Sequence, residues 1–356
     1  MRQFCAGAAA IGLMALVQAS GCRPASDIIY RPSEARAALS PELQAAVDEQ
    51  LGKHCGTFAA PKVLGDDRVS TAQLKRGQAV YQLRCAQCHG DDGDGAGPVA
   101  AQMYPRPRDY RKGVFKFTST VFGSRPLRSD LLRTVENGIR GTSMPGFETL
   151  PEEEREAVVD YVLALAHRGE LEDQLCSLAD LEGELDEELV QSEAIDVVVG
   201  RWKRARESVI VPTTLEPELT LERVERGRER FLAESTGCFK CHGEDGRGRT
   251  PDNLAGNLRD AWGQPTRAAD LTSGMLRGGQ EPLDVYRRIY GGINGTPMPG
   301  FASAYQAEPD ALWDLVAYVK YITNRRRAGD RPPPGVIQPF IPPGSSDVPA
   351  ASDDAG

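Results

Sequence analysis

The sequence predicts an all-α chain that carries one domain twice. Landmarks recur in a fixed order and spacing, helical patterns flank each landmark, and no run of alternating apolar and polar residues marks a convincing strand. The first landmark is "CAQCHGDDGDGAGP" (Cys85–Pro98) and its counterpart is "CFKCHGEDGRGRTP" (Cys238–Pro251). In both, a proline follows the histidine by nine residues: Pro98 after His89, and Pro251 after His242. Further on, "GIRGTSMPGF" (Gly138–Phe147) pairs with "GINGTPMPGF" (Gly292–Phe301). His89 to Met144 is 55 residues and His242 to Met298 is 56.

Each copy is read as three helices. Before the cysteines lie "TAQLKRGQAVYQLRC" and "LERVERGRERFLAESTGC", each with a glycine four residues before an aromatic, Gly77/Tyr81 and Gly227/Phe231. Such a glycine allows another backbone to approach closely. Before each methionine loop lies a second helix: "SDLLRTVENGI", with Ser129 as the expected N-cap, and "LDVYRRIYGGI". After it comes an amphipathic third, "PEEEREAVVDYVLAL" and "PDALWDLVAYVKYI". The first of these opens with proline and glutamates, which suit a helix N-terminus. The units are placed at 70–168 and 220–324.

The remaining segments read differently. Residues 1–22, "MRQFCAGAAAIGLMALVQASGC", have a basic start, an apolar run and small residues before Cys22, the pattern of a secretory signal. The ending "ASGC" resembles a bacterial lipoprotein lipobox with Ala19 where leucine is most usual, which implies lipidation of Cys22; a plain signal with an incidental cysteine is the alternative. Residues 23–69 form an N-terminal extension. Residues 169–219 are acidic with leucines at helical spacing, expected as a solvated helical linker. The tail, 325–356, is proline-rich and expected to be extended or disordered.

Composition bounds the function. A chain of 356 residues suggests roughly two domains of about 150 residues. Net charge is −9, which argues against nucleic acid as a partner. Aromatics are only 6 %, so something other than side chains is expected to fill part of the core. Of eight cysteines, Cys5 and Cys22 belong to the signal and four form the CxxC pairs. Cys55 and Cys176 flank the first unit and are a candidate disulfide in an oxidising compartment, the alternative being two buried thiols.

The CxxCH stretches admit several chemistries. A calcium loop begun at Asp92 would place Ala96 and Met103 at ligand positions, and the second copy puts Arg247 and Arg249 there. Zinc needs four ligands, and each copy offers two cysteines and one histidine. The chain has only four histidines: His54, His89, His167 and His242. A redox dithiol usually sits on a βαβ scaffold, and no strands are expected here. Covalent haem accounts for the whole pattern. The two cysteines form thioethers, the adjacent histidine ligates iron, and a methionine on a glycine- and proline-rich loop supplies the sixth ligand. The candidate sets are Cys85, Cys88, His89 and Met144, and Cys238, Cys241, His242 and Met298. The histidine's other nitrogen needs a fixing partner, and Pro98 and Pro251 are expected to orient a backbone carbonyl for it.

On these motifs each unit resembles a class I cytochrome c domain. The shared features are CxxCH, the glycine/aromatic first helix, the Met-Pro loop, and a last helix with aromatics (Tyr161; Trp313 and Tyr318). In that family the first and last helices cross at the glycine/aromatic contact. The first unit's "GVFKFTST…TSMPGF" is similar to dihaem cytochromes of bacterial respiratory chains. The resemblance implies two haem c groups and a one-electron carrier on the periplasmic side of a bacterial membrane. Its partners would be redox proteins such as a quinol-oxidising complex, a terminal oxidase or a reductase. Two other readings stay open: a fixed subunit of a membrane respiratory complex, and, disfavoured, a dihaem peroxidase-like enzyme, which would need spare ligands such as His54 or His167. The basic run "RPRDYRKGVFK" (Arg106–Lys116) offers Arg108 and Lys112 as candidates for neutralising haem propionates or docking an acidic partner.

Overall fold

A computed structural model describes residues 30–327; the signal with Cys22 and most of the proline-rich tail lie outside the described residues. Among the described residues thirteen α-helices run in order: α1 (Glu34–Ala38), α2 (Pro41–Cys55), α3 (Thr71–Arg84), α4 (Ala86–His89), α5 (Arg128–Asn137), α6 (Glu152–Glu182), α7 (Glu187–Leu189), α8 (Asp196–Arg204), α9 (Leu221–Leu232), α10 (Cys238–His242), α11 (Pro251–Ala255), α12 (Pro282–Gly291) and α13 (Asp310–Arg327). Among the described residues there is no strand, only isolated bridges.

Each unit is organised by one helix crossing. In the first, α3 packs on α6; in the second, α9 packs on α13. A Cβ at Gly77 would overlap the Ala157 carbonyl, and one at Gly227 would overlap the Asp314 carbonyl. The aromatics one turn on meet across the same crossings, Tyr81 with Tyr161 at 5.3 Å and Phe231 with Tyr318 at 5.2 Å between centroids. All four rings are buried, so the contact forms the base of each core.

Local signals set the helix ends. The side chains of Ser70 and Thr220 accept from the backbone N–H of Gln73 and Arg223, capping α3 and α9. The N-cap of α5 is Leu127 rather than Ser129. Ser129 lies inside the first turn, and Asp130 reaches back to accept from the Leu127 N–H at 3.0 Å. Asp130 also accepts from Ser119 N at 2.9 Å, which ties the helix start to the preceding loop and explains why the carboxylate replaces the hydroxyl.

The acidic segment departs from the expected solvated linker. The last helix of the first unit does not stop at residue 168; it continues as α6 for 31 residues. Leu171, Leu175 and Ala179 on its second half are fully buried with Val47 and Leu51 of α2, and with Val190, Ala194 and Val198. The leucines at helical spacing thus form a third core, shared with the N-terminal extension. Two of the acids are buried as well. Glu170 accepts from Arg125 at 2.9 Å and from Trp202 Nε1 at 2.8 Å, and Glu172 accepts from the Ser33 N–H at 2.8 Å.

Cys55 and Cys176 both lie in this third core as free thiols, not as a bridge. Each packs as a small apolar side chain. Burial pushes the Cys55 thiol up to about 12 and Cys176 up to about 11, so neither presents a thiolate.

The two repeated units touch through the 116–125 loop. Arg288 of α12 donates to the Lys116 carbonyl at 3.2 Å and to the Thr118 carbonyl. Asn294 accepts from the Gly123 N–H at 2.8 Å. Ile210 N donates to Ser119 O at 2.8 Å, threading the chain between the units onto the same loop.

Gly77→Ala and Gly227→Ala should each destabilise by about 1–3 kcal/mol through forced separation of the crossing helices, read by denaturant unfolding. A second outcome concerns His167, buried on α6 against Trp202. Burial pushes its pKa from 6.5 down to about 4. The unfolded ring therefore takes up a proton that the folded ring refuses, and stability is lost as pH falls from 6.5 through about 4. His167→Leu should remove roughly 3 kcal/mol of that acid-limb loss in pH-dependent unfolding.

Candidate functional site

The CxxCH segment is a single helical turn following α3. Cys85 caps α3 by donating its N–H to Tyr81 O at 2.8 Å, and its carbonyl then accepts from Cys88 N at 3.1 Å and His89 N at 2.9 Å. One turn thus aligns both thiols and the imidazole. Gly90, at φ 74°, stops it, and Tyr81 Oη donates to the Gly90 carbonyl at 2.8 Å. The glycine- and acid-rich loop then folds back on the turn, with Gly95 N on His89 O at 2.9 Å and Gly97 N on Cys88 O at 3.2 Å.

His89 is buried, stacked on Tyr110 at 4.7 Å, and its Nδ1 meets the Arg108 carbonyl at 3.1 Å. A carbonyl only accepts, so Nδ1 carries the proton and Nε2 keeps a free lone pair. Burial lowers the His89 pKa to about 4, which holds the ring neutral, the form that binds a metal. His242 repeats this: Nδ1 meets the Ala269 carbonyl at 3.0 Å, and burial lowers its pKa.

The fixing carbonyls therefore come from Arg108 and Ala269, and not from the segments at Pro98 and Pro251. Those prolines act one step away. Pro98 lies between Gly97 and Val99, whose amides donate to Cys88 O and Gln87 O, and Pro251 is the first residue of α11. In the second unit the brace is Asn253, also on α11. It donates to Gly248 O at 2.5 Å and Ala268 O at 3.2 Å, and accepts from Ala268 N at 2.8 Å, holding the strip that carries the Ala269 carbonyl.

The methionine loops are duplicates at the level of single bonds. Ile139 N donates to Met144 O at 3.0 Å, Thr142 Oγ1 donates to Ile139 O at 2.7 Å, and Met144 N donates to Thr142 Oγ1 at 3.1 Å. In the second copy Ile293, Thr296 and Met298 make the same three bonds at 3.2, 2.7 and 3.3 Å. Gly138 and Gly292, at φ 65° and 67°, turn each chain into its loop, with the methionine carbonyl where a Cβ would stand.

In the first unit Cys85, Cys88, His89 and Met144 line one cavity, walled by Leu131, Val159 and Phe115. A thiol pair, a free imidazole nitrogen and a thioether around an apolar slot fit a covalently attached haem: soft and nitrogen donors for iron, apolar walls for the porphyrin. In the second unit Trp262 Nε1 is a buried donor with no partner, the kind of group that a carboxylate of such a cofactor satisfies. His54 and His167 line none of this cavity. The sequence motifs did not reveal Tyr110, the two carbonyls or Asn253. An Asp follows each carbonyl residue, Asp109 and Asp270, and was the available signal. It was hidden because the histidine-to-carbonyl separation differs, 19 residues against 27.

A CxxCH turn facing a methionine loop within an all-α unit defines a covalent haem protein. Residues 72–162 match the family described as cytochrome c oxidase, cbb3-type, subunit III, and residues 224–323 match cytochrome c. A chain of the Kuenenia stuttgartiensis reducing HAO-like protein complex Kustc0457/Kustc0458 superposes with a TM-score of 0.55 at 31 % identity, covering 70 % of this chain and 96 % of that one. The Cbb3-type cytochrome c oxidase subunit FixP of Sinorhizobium medicae (strain WSM419) is 24 % identical over 141 residues, 36 % of this chain and 44 % of that protein. The chain thus spans less than half the length of that curated relative. It belongs to the c-type cytochromes: it is a dihaem electron-transfer protein with two covalently bound haem c groups.

Asn253→Ala leaves buried carbonyls short of donors and should cost about 1–3 kcal/mol in denaturant unfolding, with covalent haem content unchanged by haem stain.

Proposed function

We propose that the first haem is held by Cys85 and Cys88 through thioethers, with His89 and Met144 as axial ligands, and the second by Cys238, Cys241, His242 and Met298. The observation that carries this is the duplicated geometry: the same Nδ1-to-carbonyl bond and the same three-bond methionine loop in both units. When bound, each haem iron supplies a site that takes up and releases one electron. Nδ1 donation to a carbonyl raises the basicity of Nε2 and fixes the ring. Histidine–methionine ligation raises the reduction potential and leaves no open position, which suits a carrier rather than a peroxidase. The two sites then act as a relay.

The partners are redox proteins of a respiratory chain: a quinol-oxidising complex, a terminal oxidase or a reductase. Membership of a stable complex is a second reading. It is supported by the similar proteins, one an oxidase subunit and the other part of a HAO-like complex. The chain is read as exported to the periplasmic side of a bacterial membrane and anchored through lipid on Cys22, which lies outside the described residues. No described helix is long and apolar enough to cross a membrane.

A redox-titrated optical spectrum of the intact protein tests the ligand sets. Two haems per chain and a methionine–iron charge-transfer band are expected. Met144→Ala and Met298→Ala should each remove about half of that band and lower one midpoint only. A high-spin resting haem in the unaltered protein, or rapid turnover of peroxide, would sink the carrier reading.

A further inference from the structure

The cavity of the first unit is not completed by the first unit alone. Its lining includes Arg277 of the second unit, beside Arg108 and Lys116 of the first. Arg108 lays its guanidinium over the ring of Trp262, 3.6 Å from the centroid, and Trp262 also belongs to the second unit. Lys116 is largely covered, 17 % exposed at its side chain, and the nearest carboxylate, Asp260, stands at 3.9 Å. Neither Arg108 nor Arg277 closes a salt bridge among the described residues, although carboxylates satisfy arginines throughout the rest of the fold.

Arg277 stands exposed at the rim of the cavity, whereas Lys116 and Arg108 are largely covered; covered cations short of anions are costly, and burial pushes Lys116 down to about 8. The arrangement calls for an anion. The same cavity carries Cys85, Cys88 and Met144, so the group attached there brings carboxylates of its own.

We propose that Arg277, with Arg108 and Lys116, holds the propionate carboxylates of the first unit's haem, so that the second unit completes this site and raises its reduction potential. The proposal rests on the reading of the cavity as a haem site. Reduction adds a negative charge to the haem, so a nearby cation favours the reduced form and a nearby carboxylate disfavours it. Arg288 and Asn294 hold the two units in the register that brings Arg277 to the cavity. The first site's potential therefore reports on the docking of the second unit.

Spectroelectrochemical titration of the full-length dihaem protein tests this. The first haem is identified as the one whose charge-transfer band Met144→Ala removes. Arg277→Gln should lower its midpoint by about tenfold in the reduction equilibrium, about 59 mV for one electron, and leave the other haem unmoved. Arg277→Lys should keep the midpoint close to that of the unaltered protein. Asp260→Asn should raise the same midpoint; its amide oxygen still caps Trp262 N and Gln264 N, each now at 3.0 Å from Oδ1. An unmoved first midpoint in Arg277→Gln, an equal shift of both haems, or a downward shift in Asp260→Asn would overturn the assignment. Fewer than two haems per chain in the unaltered protein would overturn the haem reading itself, and this assignment with it.

Discussion

Everything at the two sites depends on how closely two helices can approach. Gly77 lies against the backbone of α6 at Ala157, and Gly227 against α13 at Asp314, with no side chain between them. The crossing fixes where α3 and α9 end; the first CxxCH turn begins there at Cys85, and the second follows at Cys238 after the turn 233–237. It also fixes the third helix, whose aromatic packs on that of the first and whose apolar face, Val159 and Val162 in the first unit, forms the cavity wall. A separation even one methyl larger would move the turn away from the methionine loop on the opposite wall. That loop has its own anchor: Phe147 N on Val135 O and Phe301 N on Ile289 O pin its far end back to the second helix.

Much of this was legible in the sequence because the repeat acts as an internal control. Any residue kept in both copies belongs to the shared architecture, and the glycine/aromatic pairs, the CxxCH turns and the Thr-X-Met-Pro loops all kept their place. What escaped was carried by backbone or by unmatched residues. The carbonyls of Arg108 and Ala269 carry no side-chain signature of their own, since every residue has one, and the aspartate after each stands at unequal distance from its histidine. Asn253 braces the second loop, whereas the position two residues after Pro98 is Ala100, so the duplication offered no pair to notice. Ser129 looked like a cap because hydroxyls cap helices, but Asp130 could bond Leu127 and Ser119 together and so took the role.

The acidic segment shows why charge composition misleads about burial. Its exposed acids, Glu182 and Glu184 among them, make the segment look solvated, while its leucines occupy one face and close a core with α2. The two buried acids are affordable only because arginines, an indole N–H or a backbone amide satisfy each of them. The extension and the linker are thereby one structural piece. They are joined to the first unit by a single uninterrupted helix, α6, which spans about 46 Å at an α-helical rise. A helix shared in this way cannot shift against the haem site without disturbing the α3 crossing.

Duplication supplied two copies of the same CxxCH turn and methionine loop, and divergence made their surroundings unequal. The second copy has a longer path from histidine to carbonyl, and that path carries Asp260 and Trp262, both turned to the first unit. Around the histidines the copies also differ: His89 stacks on Tyr110, while the corresponding position after Ala269–Asp270 is Leu271. The first loop's Asp92 and Asp94 are met by Arg31 of the N-terminal extension, whereas the second loop pairs Asp245 with its own Arg247. Each difference changes charge or polarizability near one site and not the other. The donor and acceptor give a relay its direction; differences of this kind set how an electron shared between the two sites is distributed. The repeated residues make each site able to hold an electron, and the unrepeated ones decide which site holds it more tightly.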